Sequence, residues 1–189
     1  TGIVAIDTVS GGSATEDGTQ SVTITITENE SAPTVTLATS ATSIAENAGS
    51  SLTLTATLSV ATTADVTVGI STSGTGTEGT DYSTISDITI SAGATTGTAS
   101  FTPTDDSVYE GNETGIVAIA TVSGGSATED GTQSVTITIT ENESSPTITL
   151  TSSASSIAEN AGSSLTLTAT SSIVADEDIT VTISTSGTG

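Results

Sequence analysis

An internal repeat with a period of 113 residues dominates the sequence. Residues 1–6 read TGIVAI, and the same six letters return at residues 114–119. When residues 1–76 are aligned with residues 114–189, only 14 of the 76 positions differ. A period of this size matches a complete β-sandwich domain of about 100 residues and is far longer than the rung of a solenoid. The repeat therefore predicts a tandem array of near-identical domains.

Two prolines set the frame of this repeat. Pro33 and Pro146 each follow an acidic Glu-Asn-Glu motif, and each is interpreted as part of a short linker before a new strand. The two partial segments together lack the counterpart of residues 77–113, so they cannot complete each other. We therefore interpret the sequence as a window from a longer array. Its predicted parts are 1–33, the C-terminal part of one repeat; 34–146, one complete repeat; and 147–189, the N-terminal part of the next repeat.

Short runs in which aliphatic residues alternate with Thr predict β-strands. Residues 52–56 read LTLTA and residues 135–139 read VTITI, so the aliphatic side chains face one side of the strand and Thr faces the other. Gly, Asn, Asp and Ser separate these runs, as is typical of an all-β sandwich. We predict an all-β, immunoglobulin-like antiparallel sandwich. Its seven predicted strands are Thr34–Ala38, Ser51–Leu58, Val66–Ser71, Ile85–Ser91, Thr98–Thr102, Gly115–Thr121 and Ser134–Thr140.

The charge of the chain excludes several classes of partner and chemistry. The chain has 22 Asp and Glu residues and no Lys, Arg or His, so its net charge is −22. Nothing in it can neutralise phosphates, which excludes nucleic acid and disfavours anionic membrane surfaces as partners. No apolar run is long enough to insert across a bilayer. An enzyme, such as a glycosidase with paired carboxylates, is not expected. The chain lacks the residue types that usually act as base or nucleophile, bind anions or stack against sugar rings.

The densest group of acidic residues lies in the segment 104–113. In an up-and-down sandwich alternate strands finish at the same end, so nine of the 13 acids of the complete repeat are expected to gather there. Two carboxylates about 4 Å apart repel by about 4 kcal/mol at an effective dielectric of about 20, so such an end needs a cation. Ca²⁺, a hard ion with six to eight oxygen ligands, is the predicted one. The nine acids are Glu46, Glu78, Asp81, Asp105, Asp106, Glu110, Glu113, Glu141 and Glu143.

Four motifs, in this order and spacing, resemble those of the Calx-beta domain. They are Ala45-Glu46-Asn47, Gly79-Thr80-Asp81-Tyr82, the acidic stretch from Asp105 to Glu113, and Glu141-Asn142-Glu143. This family occurs in the regulatory region of sodium–calcium exchangers and in tandem in large bacterial surface proteins. The resemblance implies a seven-stranded immunoglobulin-like sandwich that binds a small cluster of Ca²⁺ at one end. It also implies eight ligands, which are Glu46, Asp81, Asp105, Asp106, Glu110, Glu113, Glu141 and Glu143.

The sequence departs from the family pattern in two respects. The family often closes with a run of Asp, whereas this repeat closes with Glu-Asn-Glu at residues 141–143. The partial segments also retain little of a site, since residues 1–33 keep only Glu28, Asn29 and Glu30, and residues 147–189 keep only Glu159. Neither partial segment is therefore expected to form a full site alone.

These observations favour a structural function for the chain. The leading hypothesis is a calcium-rigidified structural repeat of a long extracellular filament or adhesin stalk at a bacterial cell surface. Its expected partners are neighbouring repeats of the same chain and identical chains in a fibre. The alternative hypothesis is a calcium-sensing or calcium-buffering module, as in the exchangers. Near-identical tandem copies favour the structural hypothesis, because each added copy makes the protein larger and longer.

Overall fold

The computed structural model describes residues 1–27 and 29–187, and the described residues form strands, turns and loops without a helix. Glu28 and the last two residues of the predicted third segment lie outside this description. The strands, in chain order, are β1 (Gly2–Ala5), β2 (Ser21–Ile24), β3 (Thr34–Thr39), β4 (Ser43–Ala45), β5 (Leu52–Leu58), β6 (Val66–Gly74), β7 (Ile88–Ile90), β8 (Thr96–Phe101), β9 (Val108–Tyr109), β10 (Glu113–Ser123), β11 (Thr128–Glu129), β12 (Ser134–Thr140), β13 (Ile148–Ser152), β14 (Leu167–Ser171) and β15 (Val174–Ala175).

Two sheets form the sandwich predicted from the sequence. One has five strands in the order β4-β12-β10-β6-β7, and the other has four strands in the order β11-β3-β5-β8. Most neighbours are antiparallel, but β4 runs parallel to β12, and β11 runs parallel to β3. The all-β sandwich is therefore confirmed, with two short parallel strands added at the sheet edges.

The core of the sandwich is aliphatic except at the end where β8 finishes. There the rings of Tyr82 and Phe101 stack with their centroids 4.6 Å apart, and both side chains are fully buried. Gly115 of β10 makes this stack possible, because a Cβ atom at that position would lie 2.7 Å from Phe101 Cε2. The aromatic pair forms the floor beneath the loops at this end.

The seven predicted strands are all present, but their boundaries needed correction in places. The bounds of β12 match the prediction, whereas the fourth predicted strand, Ile85–Ser91, shrinks to β7. Its first residues do not join a sheet, because the amide of Ile85 donates to Glu78 Oε1 at 2.7 Å. The sequence prediction missed β4, β9 and β11, which have only two or three residues each and show no alternation long enough to recognise.

The chain separates into two compact units, Thr1–Ala32 and Pro33–Gly189. In the first unit β1 and β2 form an antiparallel hairpin with exposed aliphatic side chains, such as Ile3 and Val22. In the second unit the sandwich is followed by the antiparallel pair β13–β14, and β15 then pairs in parallel with β9. Within the described residues, no helix has the length and apolarity needed to cross a membrane.

Candidate metal centre

Strand β4 places Glu46 at one end of the sandwich. Because β4 runs beside the end of β12, the Glu46 amide donates to the carbonyl of Thr140 at 3.0 Å. The Glu46 side chain is only 6% exposed, and its Oε1 accepts a hydrogen bond from the Asp106 amide at 3.2 Å. A buried carboxylate is thereby held against the acidic loop, residues 104–113.

A tight turn after β6 holds Asp81 beside the same loop. Gly79 at the tip has φ +87°, a conformation that glycine adopts without strain. Asp81 Oδ2 accepts from the Thr77 amide at 2.6 Å, and the Asp81 amide donates to the Thr77 carbonyl at 2.9 Å. The Thr104 amide then donates to the Asp81 carbonyl at 2.9 Å, which ties the turn to the start of the acidic loop.

Glu141, directly after β12, organises the other side of the loop. Its Oε2 accepts from the amides of Glu110 and Gly111 at 2.7 and 2.8 Å. Its Oε1 accepts from the amides of Asn142 and Glu143, both at 2.9 Å. These four backbone donors fix the chain on both sides of the Glu141 carboxylate.

The acidic side chains meet in three overlapping groups at this end of the sandwich. In each group of three residues, one carboxylate oxygen from each lies within 4.8 Å of the others. Glu46 belongs to two groups and Glu110 belongs to two, so the three groups form one continuous cluster of seven carboxylates. The groups are Glu46, Asp106 and Glu110; Glu46, Glu141 and Glu143; and Asp81, Glu110 and Glu113.

Comparison with known proteins assigns the chain to a family. The sequence profile of the Calx-beta domain matches residues 28–143, which is more than half of the chain. The chain belongs to the Calx-beta family. Calx-beta domains are known as regulatory or binding modules, and calcium binders are among them.

Two solved structures are similar to this Calx-beta chain at 17% sequence identity. One is the crystal structure of the apo form of the Calx CBD1 domain, with a TM-score of 0.49, covering 58% of this chain and 99% of that one. The other is the crystal structure of CBD12 from CALX1.2, with a TM-score of 0.47, covering 56% of this chain and 43% of that one. Comparison with curated protein sequences gives no significant match.

Burial and mutual repulsion alter the pKa values of the clustered acids in this Calx-beta domain. Burial raises the pKa of Glu46 to about 7, and the charges of Glu141 and Glu143 add to the effect. Burial and the charge of Asp81 likewise raise the pKa of Glu113 to about 7. The pKa of Glu110 is also raised, first by burial and then by the charge of Asp81. A metal-free site therefore favours protonated carboxyl groups.

Glu141 behaves in the opposite way. Burial pushes its pKa upward, but hydrogen bonds from the backbone amides of Glu143, Glu110 and Gly111 prevail and lower its pKa to about 2. The hydrogen bond between the two side chains has the opposite effect on Glu143, whose pKa it raises. The two neighbouring carboxyl groups are thus shifted in opposite directions, Glu141 towards the charged form and Glu143 towards a higher pKa.

The residues fit a hard divalent cation such as Ca²⁺. Every donor in the cluster is a carboxylate oxygen, which is the donor that Ca²⁺ prefers. In addition, Glu143 Oε2 is buried and has no hydrogen-bond partner among the described residues. A buried acceptor in this state is unfavourable by about 1–3 kcal/mol, and a bound cation would satisfy it.

The structure brings together seven of the eight carboxylates predicted as ligands. Asp105 lies outside the three groups and is exposed, although its charge acts on Glu143. Glu78, predicted only to lie at this end, has a structural contact instead, because Thr72 Oγ1 donates to its Oε2 at 2.6 Å. Glu28, predicted as part of a remnant site, lies outside the described residues. Sequence reasoning overlooked Asp176, whose charge also acts on Glu110.

Proposed function

We propose that this Calx-beta domain is a calcium-binding module in which Ca²⁺ holds the loop end of the sandwich in one conformation. The observation that carries the proposal is the continuous cluster of seven carboxylates, shared through Glu46 and Glu110, in a chain without a positive side chain. Up to three neighbouring ion positions, bridged by these two glutamates, follow from the overlap of the groups.

Binding to such a cluster is coupled to folding. The acids lie directly after β4, in the turn after β6, in the acidic loop and directly after β12, so an ion joins four separate parts of the chain. A ligand present at 100 times its dissociation constant, bound only by the folded state, stabilises that state by about 2.7 kcal/mol. Calcium is therefore expected to raise both thermal stability and resistance to proteolysis.

Calorimetric titration of the whole chain with Ca²⁺ tests this proposal, with thermal unfolding in calcium and in chelator as a second measurement. The matched control is Asp130→Asn, which removes one exposed carboxylate from the loop at the other end of β12. Glu46→Gln should weaken binding strongly, and the control should leave it unchanged. If the native chain takes up no Ca²⁺ and unfolds at the same temperature with and without chelator, the proposal is wrong.

The second candidate is the structural one, a calcium-rigidified repeat of an extracellular filament or adhesin stalk. The near-identity of residues 1–76 with 114–189 is the observation that favours it. The dissociation constant separates the two functions. A value in the micromolar range with a reversible change of shape indicates sensing or buffering, whereas about 10⁻⁴–10⁻³ M suits an extracellular scaffold.

A further inference from the structure

The β1–β2 hairpin exposes side chains whose counterparts fill the core of the sandwich. Its register, in which Val4 pairs with Val22, is that of β10 and β12 displaced by 113 residues. Val4 and Ile24 are each more than half exposed, whereas the equivalent Val117 and Ile137 are fully buried. The hairpin therefore presents one side of a sandwich core to solvent.

The β13–β14 pair exposes the complementary side. Its register, in which Leu150 pairs with Ala169, repeats that of β3 and β5. Leu150 and Leu167 are each more than half exposed, whereas the equivalent Leu37 and Leu54 are buried. In the sandwich, β3 and β5 lie in one sheet, β10 and β12 lie in the other, and their side chains share one core. The two exposed faces are thus the two halves of a packing that the same chain already contains.

The strands that a composite of these two faces would lack are edge strands. Residues 77–113, which the flanking segments do not repeat, supply β7, β8 and the acidic loop. Strand β7 is the last of the five-stranded sheet, and β8 is the last of the four-stranded sheet. The pairs β10–β12 and β3–β5 both have counterparts, so a composite keeps the centre of the core and leaves one side open.

Both faces are uncharged in a chain with a net charge of −22. The four strands contain only Gly, Ala, Val, Ile, Leu, Ser and Thr. Ten of the exposed large aliphatic side chains in the two segments occupy repeat positions whose counterparts are buried. At roughly 60–100 Å² each, covering them removes on the order of 600–1,000 Å² of apolar surface. With the polar atoms included, this reaches the size of a specific interface, about 1,200–2,000 Å².

The connections of the sandwich favour pairing between two copies. Thr34 at the start of β3 lies opposite Thr128, before β12, whereas Ser43, after β3, lies opposite Thr138 near the end of β12. The chain therefore enters the sandwich at one end and leaves it at the other, and a strand of six residues covers about 20 Å. Segments joined at opposite ends meet more readily in two copies than in one.

We propose that the β1–β2 hairpin of one copy packs on the β13–β14 pair of a second copy and rebuilds a sandwich core between them. Because the two faces differ, the contact is head to tail and can propagate along a row of copies. A polar anchor accompanies the apolar contact. The Leu37 amide donates to Gln133 Oε1 at 3.3 Å in the sandwich, and Leu150 and Gln20 occupy the same repeat positions. This association does not depend on the proposed calcium binding.

Sedimentation velocity of the whole chain over a range of concentrations tests the inference, in chelator so that calcium plays no part. The native chain should form dimers and longer species as its concentration rises. Val4→Glu places a charge on the inner face of the hairpin, and the matched control Ile3→Glu places it on the adjacent residue, which faces the other way. We expect Val4→Glu to weaken association on the order of a hundredfold and Ile3→Glu to change it little.

Mixing two variants distinguishes the head-to-tail contact from other forms of association. Val4→Glu and Leu150→Glu should each sediment as monomers. Together they should form a 1:1 dimer and nothing larger, because each retains one intact face, and the two intact faces differ. This dimer also shows that both intact segments are folded.

Four results would overturn the inference. They are a native chain that stays monomeric, a Leu150→Glu variant that still associates alone, an Ile3→Glu variant that dissociates as fully as Val4→Glu, and a mixture that stays monomeric. A chain that associates in this way but binds no calcium would refute the proposed function and leave this inference standing.

Discussion

Replacing Glu46 by Gln should stabilise the calcium-free protein and weaken its response to calcium. Glu46 is 6% exposed and belongs to two of the three carboxylate groups. Gln has the same shape and keeps an oxygen that can accept the hydrogen bond from the Asp106 amide. The substitution therefore removes the buried charge and little else.

The size of the effect follows from the pKa of Glu46. Burial raises this pKa from 4.5 to about 7, and each pKa unit corresponds to about 1.4 kcal/mol. Holding the charge at pH 8.5 therefore destabilises the calcium-free protein by up to about 3 kcal/mol. With relaxation of the loop, we expect Glu46→Gln to raise the free energy of unfolding by about 1–3 kcal/mol.

Urea denaturation in chelator, followed by far-ultraviolet circular dichroism, measures this gain. The gain should be present at pH 8.5 and should disappear at about pH 4, below the unfolded-state pKa of 4.5, where Glu46 is protonated in both states. In saturating calcium the order should reverse, because the variant lacks a ligand that two ion positions share. Asp130→Asn, with the same change of charge, should alter none of these values. A variant that is less stable than the native chain in chelator at pH 8.5 refutes the reasoning.

Three further predictions follow from the same contacts. Glu46 and Glu113 bind protons more tightly in the folded state, so the urea midpoint of the calcium-free chain should fall as pH rises from 4.5 through 7; a rising midpoint contradicts this. Glu141→Gln should destabilise the calcium-free chain by about 1–3 kcal/mol in urea, opposite in sign to Glu46→Gln, because four backbone amides donate to this carboxylate. Gly115→Ala should lower stability by about 1–3 kcal/mol, since its Cβ would lie 2.7 Å from the Phe101 ring, whereas Gly93→Ala should be affected only by its backbone conformation.

The sequence predicted the sandwich because its long strands carry the alternation that burial requires. Strand β12 illustrates this, since the buried Ile137 and Ile139 alternate with more exposed Thr residues, and its bounds match the prediction. Strand β4 escaped prediction because three residues contain too little pattern. Strand β4 nevertheless determines where Glu46 lies. After β3 the chain crosses to the other sheet, where β4 runs beside the end of β12 and places Glu46 at the site.

The membership of the site was easier to predict than its internal chemistry. The alternation of strand ends and the Calx-beta motifs predicted eight ligands, seven of which meet in the structure. Nothing in the motif Glu141-Asn142-Glu143, however, distinguishes its two glutamates. Their difference comes from the backbone, because the amides of Glu110 and Gly111 point at Glu141 and not at Glu143. Asp176 was overlooked because its position depends on a pairing between short strands, β9 and β15, far apart in sequence.

A crystal structure of the chain grown in calcium, with anomalous scattering data, tests the central claim most directly. We expect anomalous peaks within the carboxylate cluster, with Glu46 and Glu110 each bridging neighbouring ions, and with Glu143 Oε2 in contact with one of them. Calcium-free carboxylates in the same positions, or ions bound only at the acids of the opposite end such as Asp130, would contradict it.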